Sequence, residues 1–250
     1  MEERYSSEHR EYRVPTVEEI TPDNMELFRE AYLFLERHNF YEEMPAGEDI
    51  EQRNISDADI DDTMSTIEAE GTDEHIVAIY DSKRNIIAAG TYHWDDIDKE
   101  ASTSVGRLGR VIVDPDHRGK EYERLLTEKR INILRKKECT EVRVSVSLQN
   151  PRSLLSKFKQ GFVLEPGSYI QGEEYMISMK KYLDVPDSET KYNAYTRTED
   201  ISLSNIAAIQ ACIHAGGVGV DISYTRPDDI SNTHIPERLP DRWQLIFRLP

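Results

Sequence analysis

The sequence predicts an α+β fold: a mostly antiparallel mixed sheet with flanking helices, followed by a C-terminal strand–helix–strand extension. The first observation behind this is the element order. Apolar periodicities over residues 12–183 read β α α β β β α β α β β, with a single central strand–helix–strand crossover. The second is that crossover itself. An apolar strand from Leu108 to Val113 runs into the turn Asp114-Pro115-Asp116, the step Arg118-Gly119-Lys120 and a long amphipathic helix. A strand that opens a helix in this way gathers unpaired N–H groups and the positive end of the helix dipole, which favours an anion. The third is charge. From Glu42 to Glu74 there are thirteen acids and one base, whereas Arg118 to Lys137 holds eight bases and three acids. A cationic helix inside an acidic chain suits a small phosphorylated ligand better than a polymer, although a charge run of this kind is as often only a solvated face.

The elements follow in order. Residues 1–11 read as a tail, and Tyr12 to Val17 alternates like a short strand. Thr21-Pro22-Asp23 marks a helix start, and Met25, Phe28, Tyr32 and Leu35 share one face of the helix that runs to about His38. Residues 41–56 read as a loop. Ser56 or Asp57 caps a second helix that ends at Gly71. His75 to Tyr80 and Ile86 to His93 form a hairpin around a polar turn, Trp94 to Glu100 reads as an acidic connector, and Thr103 to Val113 is a longer strand. The crossover helix spans about Gly119 to Glu138, burying Tyr122, Leu125, Leu126, Ile133 and Leu134. Val142 to Val146 is a strand, Asn150-Pro151 opens a short helix ending before Gly161-Phe162, and Tyr169 to Ile170 with Tyr175 to Met179 makes a closing hairpin.

Composition excludes several classes. A net charge of −17 argues against nucleic-acid or anionic-membrane partners. No apolar run is long enough to span a bilayer, and the charged N-terminus does not read as a signal peptide. Cys139 and Cys212 lie far apart and outside metal-type spacing, so no metal constellation is visible and a reducing, cytoplasmic setting is expected.

Around its centre the sequence resembles the GCN5-related N-acetyltransferase (GNAT) superfamily. Val111-x-Val113-x-Pro115-x-x-Arg118-Gly119 followed by Leu125-Leu126 is similar to that family's acyl-CoA motif. Asn150 with Gly161-Phe162 is similar to its next one, an Asn-initiated helix closing in Gly-Phe. The two early helices and the closing hairpin sit where the family places them, so the resemblance covers about residues 12–183. It implies a GNAT-like sheet and transfer of an acetyl or other acyl group from acyl-CoA to an amine. The co-substrate would be held by Val111, Ile112 and Val113, by Arg118, Gly119, Lys120, Tyr122 and Arg124, and with support from Asn150. The acceptor would be a small-molecule or peptidyl amine, and the acidic stretch would suit a cationic one. The alternative is a degenerate module of the same fold that no longer uses CoA.

Two departures bear on that choice. Where the family's phosphate turn carries small residues, this chain has Glu121 and Glu123. A carboxylate facing a diphosphate is unfavourable, yet both side chains could point away. Where the family often has a tyrosine as leaving-group acid, this chain has Lys157, expected at the surface. Tyr92, His93 and His75 are further candidates for moving a proton.

Residues 184–250 form the extension. A linker from Asp184 to Thr190 precedes Ser202-Leu203-Ser204-Asn205, which echoes Ser147-Leu148-Gln149-Asn150. Asn205 opens an apolar helix ending at Gly216-Gly217, then strands follow at Val218 to Tyr224 and Trp243 to Leu249. This reads as a partial repeat of the preceding strand–helix–hairpin or as an unrelated extension. It could extend the first sheet, replace its terminal part, or pair with a second subunit to make a homodimer.

Overall fold

The computed structural model describes residues 15–38, 57–98, 103–164, 170–171, 175–183, 195, 197–224 and 243–249. The expected tail, the loop at 41–56, the linker from Asp184 to Thr190 and the loop before the final strand lie outside them.

Strands β1 (Thr16–Ile20), β2 (His75–Tyr80), β3 (Ile86–Asp98), β4 (Thr103–Val113), β5 (Cys139–Ser147), β6 (Ile170–Gln171) and β7 (Met176–Tyr182) form one sheet ordered β1-β2-β3-β4-β5-β7-β6. Every neighbouring pair is antiparallel except β4–β5. Alternation along β2 decides what covers each face. Ile76, Ala78 and Tyr80 join Phe28, Ala31 and Leu35 of α1 (Met25–His38) and Ile60 and Met64 of α2 (Asp57–Glu70). Val77 and Ile79 join Leu126, Ile133 and Leu134 of α3 (Tyr122–Lys136) and Leu154 and Phe158 of α4 (Pro151–Lys159). The second core continues into a smaller sheet, β8-β10-β9, made of β8 (Arg197–Ser202), β9 (Val218–Tyr224) and β10 (Trp243–Leu249), with α5 (Ile206–His214) between β8 and β9.

Several boundaries differ from the sequence reading. Among the described residues the first strand is Thr16–Ile20, running past the expected end at Val17, while the expected start at Tyr12 lies outside them. Thr21-Pro22-Asp23 is a turn, with the Asn24 amide bonded to Thr21 O at 3.1 Å and Pro22 at the turn position that fits its fixed φ. The helix starts only at Met25, where Asn24 Oδ1 accepts from the Leu27 amide at 3.3 Å. The acidic connector after His93 is a continuation of β3, paired with β4 through Trp94–Gly106 and Asp95–Val105. Arg107 steadies it by donating to Asp95 at 2.6 Å. β8 was not legible, because Arg197 to Asp200 are all exposed and give no apolar alternation.

Candidate functional site

The site begins with a break in pairing. β4 and β5 are bonded only from Ser104–Cys139 to Leu108–Val144. Beyond Leu108, β4 stays on β3 through Gly90–Val111, Ala89–Ile112 and Ala88–Val113, while β5 stays on β7 as far as Ser147–Met176. The sheet therefore opens between the second half of β4 and the end of β5. The Asp114 amide bonds to Ile87 O on β3 at 3.0 Å. Backbone direction alternates along a strand, so Val113 and Val111 turn their amides the other way, into the opening. Ile112 instead bonds toward β3 and buries its side chain on the α1 face.

A bulge shapes this half of β4. Gly109 and Arg110 together face Thr91, where the β3–β4 register shifts. A Cβ on Gly109 would lie 2.1 Å from Thr91 Oγ1, so only glycine fits. The bulge is pinned from beneath by Arg130 of α3, a residue that the sequence reading counted only as part of a basic run. Arg130 is fully buried. Its guanidinium donates to Thr91 O at 2.8 Å, Leu126 O at 3.2 Å, Thr127 Oγ1 at 3.3 Å and Arg110 O at 3.4 Å. Burial pushes its pKa down to about 10, against the pull of the Glu123 carboxylate, and leaves it charged at neutral pH. The signal for its burial was present in the spacing Leu126–Arg130–Leu134, one residue per helical turn on the apolar stripe.

The turn after β4 bends sharply before α3 begins. Pro115–His117 is a short 3-10 turn whose Asp114 Oδ1 accepts from the Asp116 amide at 2.8 Å. Gly119 (φ 77°) and Glu121 (φ 59°) are both left-handed, which delays α3 to Tyr122 instead of Gly119. Arg118 Nε donates to Val113 O at 3.3 Å, Gly119 and Lys120 are exposed, and Tyr122 packs half-buried against the core. Glu121 points outward and accepts from Arg124 at 2.8 Å, while Glu128 takes the other side of the same guanidinium at 2.6 Å. The small residue expected at position 121 therefore answers a backbone need, not only a need for space. Glu121→Gly is expected to stabilise the fold by about 1 kcal/mol by removing left-handed strain, read as a raised denaturation midpoint.

Glu123 behaves differently. It lies in the first turn of α3 and its Oε1 accepts from Lys157 Nζ of α4 at 2.7 Å. Lys157, expected at the surface, has a side chain only 4% exposed, and Thr127 Oγ1 lies 3.4 Å from its ammonium. The two departures read from the sequence thus meet as one ion pair joining α3 to α4. Asn150 caps α4, its Oδ1 accepting from the Ser153 amide at 3.0 Å.

Tyr92 and His93 are placed on opposite faces of β3. Tyr92 is buried and donates to Glu19 at 2.5 Å, and burial with that carboxylate beside it raises its pKa far above the usual phenol value. It stacks on His75, ring centroids 5.3 Å apart, and His75 stacks on Trp94 at 4.7 Å. His93, half-buried, lies opposite Arg107 on the α1 side. Burial holds the pKa of His75 below its usual 6.5. Its neutral form belongs to the folded state, and the unfolded chain binds the extra proton. The stability this contributes is full above about pH 6.5 and is lost as the pH falls below it. Melting temperatures should therefore drop on the acid side of about pH 6.5, and His75→Phe should flatten that drop.

On the α1 face, Arg110 pairs with Glu36, approaches Glu74 at 3.9 Å and lies over the Tyr32 ring at 5.3 Å. The acids of α2 that are described (Asp59, Asp61, Asp62, Glu68 and Glu70) are exposed. No described residues cluster as a metal site, Cys139 and Cys212 are buried and not joined in a disulfide, and no described helix is long and apolar enough to cross a membrane.

A family model described as the acetyltransferase (GNAT) family matches residues 22–162. No curated protein sequence matches the chain. Among solved structures, a chain of the NatC complex bound to Gag peptide and CoA is similar at a TM-score of 0.48 and 14% identity, covering 68% of this chain and 99% of that one. An acetyltransferase of the GNAT family from Streptococcus pneumoniae is similar at 0.47 and 16%, covering 68% and 99%. Mutant forms of the spermidine/spermine N-acetyltransferase SpeG from Vibrio cholerae are similar at 0.44 and 14%, covering 74% and 100%.

Proposed function

The chain belongs to the GNAT acetyltransferase family, and we propose that it transfers an acyl group from acetyl-CoA or another acyl-CoA directly to an amine. The observation that carries this reading is the opening between β4 and β5, into which Val111 and Val113 turn their amides. An extended, amide-bearing arm fits such an edge as an added strand would, and an amide aimed into it can polarise a carbonyl. The left-handed turn at Gly119 and Glu121 presents the first amides of α3 to an anionic group, with Arg118, Lys120 and Arg124 around it.

The thioester supplies the acyl group. The amine nitrogen bonds to the acyl carbon, the carbon–sulfur bond breaks, the amine gives up one proton and the departing sulfur takes one. His93, half-buried on the α1 side beside the bulge, is assigned the amine's proton. Lys157 is assigned the proton that reaches sulfur. Tyr92, with its hydroxyl already given to Glu19, holds β3 in place. The acceptor is a small-molecule or peptidyl amine, and the exposed acids of α2 suit a cationic one.

A module that keeps the fold without using CoA is the alternative, favoured by the Glu123–Lys157 pair at the head of α3. Titration of the protein with acetyl-CoA separates the two. Saturable heat and a rising Tm are expected for the transferase. No response from folded protein at millimolar ligand would sink that reading and leave the module.

A further inference from the structure

Cys139–Tyr182 and Arg197–Leu249 follow one plan. β5–α4–β6–β7 pairs in the order β5-β7-β6, and β8–α5–β9–β10 pairs in the order β8-β10-β9. In each, the last strand lies antiparallel between the other two.

The agreement holds residue by residue at an offset of 55. Ser147 Oγ accepts from the Gln149 amide at 3.1 Å, and Ser202 Oγ from the Ser204 amide at 3.3 Å. Asn150 N donates to Ser147 O at 3.0 Å, and Asn205 N to Ser202 O at 2.9 Å. Asn150 caps α4 at φ −112°, ψ 75°, and Asn205 caps α5 at φ −92°, ψ 68°. Both helices have nine residues, and each ends at a left-handed glycine, Gly161 (φ 81°) and Gly216 (φ 89°). The final strand keeps the same register at a longer offset, with Ser147 opposite Met176 and Ser202 opposite Gln244.

The two units meet at matching positions. Leu164 and Gly219 are counterparts, and they exchange both backbone hydrogen bonds at 2.9 Å. Val163 and Val218, also counterparts, share a buried apolar cluster. An antiparallel pair formed by a residue and its own counterpart places a local two-fold axis between them, which is how identical subunits make an isologous contact. A Cβ on Gly219 would lie 2.9 to 3.2 Å from three atoms of the Leu164 side chain, so this approach requires glycine. Across the same junction α4 packs on β9.

We propose that residues 197–249 are a second copy of the strand–helix–hairpin unit. It docks on the first as a second subunit would, so that one chain builds internally a face that two copies would otherwise share. The copy has no counterpart of β4 or of the turn before α3, so the described residues carry one opening, and the face that would join two copies is already occupied within the chain. Position 157 illustrates the division of roles. Its counterpart, Cys212, is a buried thiol whose pKa burial raises, packed where a Cβ on Gly217 would lie 2.7 Å from its sulfur. The first copy keeps a charged group there and the second only fills space.

Two measurements on the full chain test this without reference to CoA. Light scattering across a wide concentration range should give the mass of one chain throughout, and a stable dimer would overturn the proposal. The double variant Val163→Cys, Val220→Cys, at positions that share one apolar cluster and lie opposite each other beside the Leu164–Gly219 pair, should close a disulfide within one chain, seen as a monomer band on a non-reducing gel. A covalent dimer, or two free engineered thiols in folded protein under oxidation, would contradict the internal contact. Should the double variant fail to fold, the wild-type mass still decides.

Discussion

Glu123→Gly is expected to bind CoA roughly tenfold or more tightly than the natural protein when the two are compared by calorimetry. In the natural chain the Glu123 carboxylate holds the buried ammonium of Lys157 and places a negative charge in the first turn of α3. Removing it frees one cation and removes one repulsion. A hydrogen bond to a charged group is worth about 1.5–3 kcal/mol, which corresponds to a tenfold to hundredfold change in affinity. The same change leaves Lys157 without this carboxylate partner, so the ligand-free variant should lose about 3 kcal/mol of stability and regain much of it on binding. Glu123→Gln removes the charge without the bulk and should show a smaller gain. The double variant Glu123→Gly, Lys157→Met should lose most of it. Folded Glu123→Gly protein that binds CoA no better than the natural chain would show that the pair stands clear of the ligand.

Arg130→Met is expected to destabilise the protein by about 3 kcal/mol, read as a lower denaturation midpoint at unchanged m-value. Methionine nearly fills the volume, so the loss is one of hydrogen bonds. The carbonyls of Thr91 and Arg110 would be left in the bulge without the guanidinium that now reaches both. Burial of a cation with no carboxylate in hydrogen-bond reach works in the opposite direction, and an unchanged midpoint would mean that relief of that burial balances the lost bonds. Because the bulge sets the course of β4 from Gly109 to Val113, the Tm rise produced by acetyl-CoA should shrink in the same variant.

The central strand, Pro turn and helix were legible because each is encoded locally, by an apolar run, a fixed φ and an amphipathic stripe. The backbone role of Val111 and Val113 came only through the family resemblance. The loss of β4–β5 pairing beyond Leu108 that supports it is a property of two strands whose partners, such as Leu108 and Val144, are far apart in sequence, which no local pattern encodes. Lys157 was misplaced for the same reason. Helical spacing alone leaves its destination open, and it is buried only because α3 brings Glu123 and Thr127 to it. Glu121 was half legible: the resemblance marked its position as one for a small residue, and the structure adds the left-handed φ that explains why. The Ser-Leu-x-Asn echo foreshadowed the second unit, but its first strand is charged and exposed and left no trace in hydropathy.

The opening between β4 and β5 also has a mechanical side. Four strands stand on one side of it and three on the other, and the backbone ladder joining them runs only from Ser104 to Leu108. Such a sheet is two stiff plates on a short hinge, with α3, which packs on β2 through β5, lying across the joint like a splint. Small rotations about such a hinge would widen or narrow the gap without breaking a strand pair, so the cost of admitting a ligand would fall on side chains rather than on the ladder. The amides of Val111 and Val113 line the free lip of one plate, and hydrogen exchange should find them faster than Ile112 between them, with acetyl-CoA slowing both.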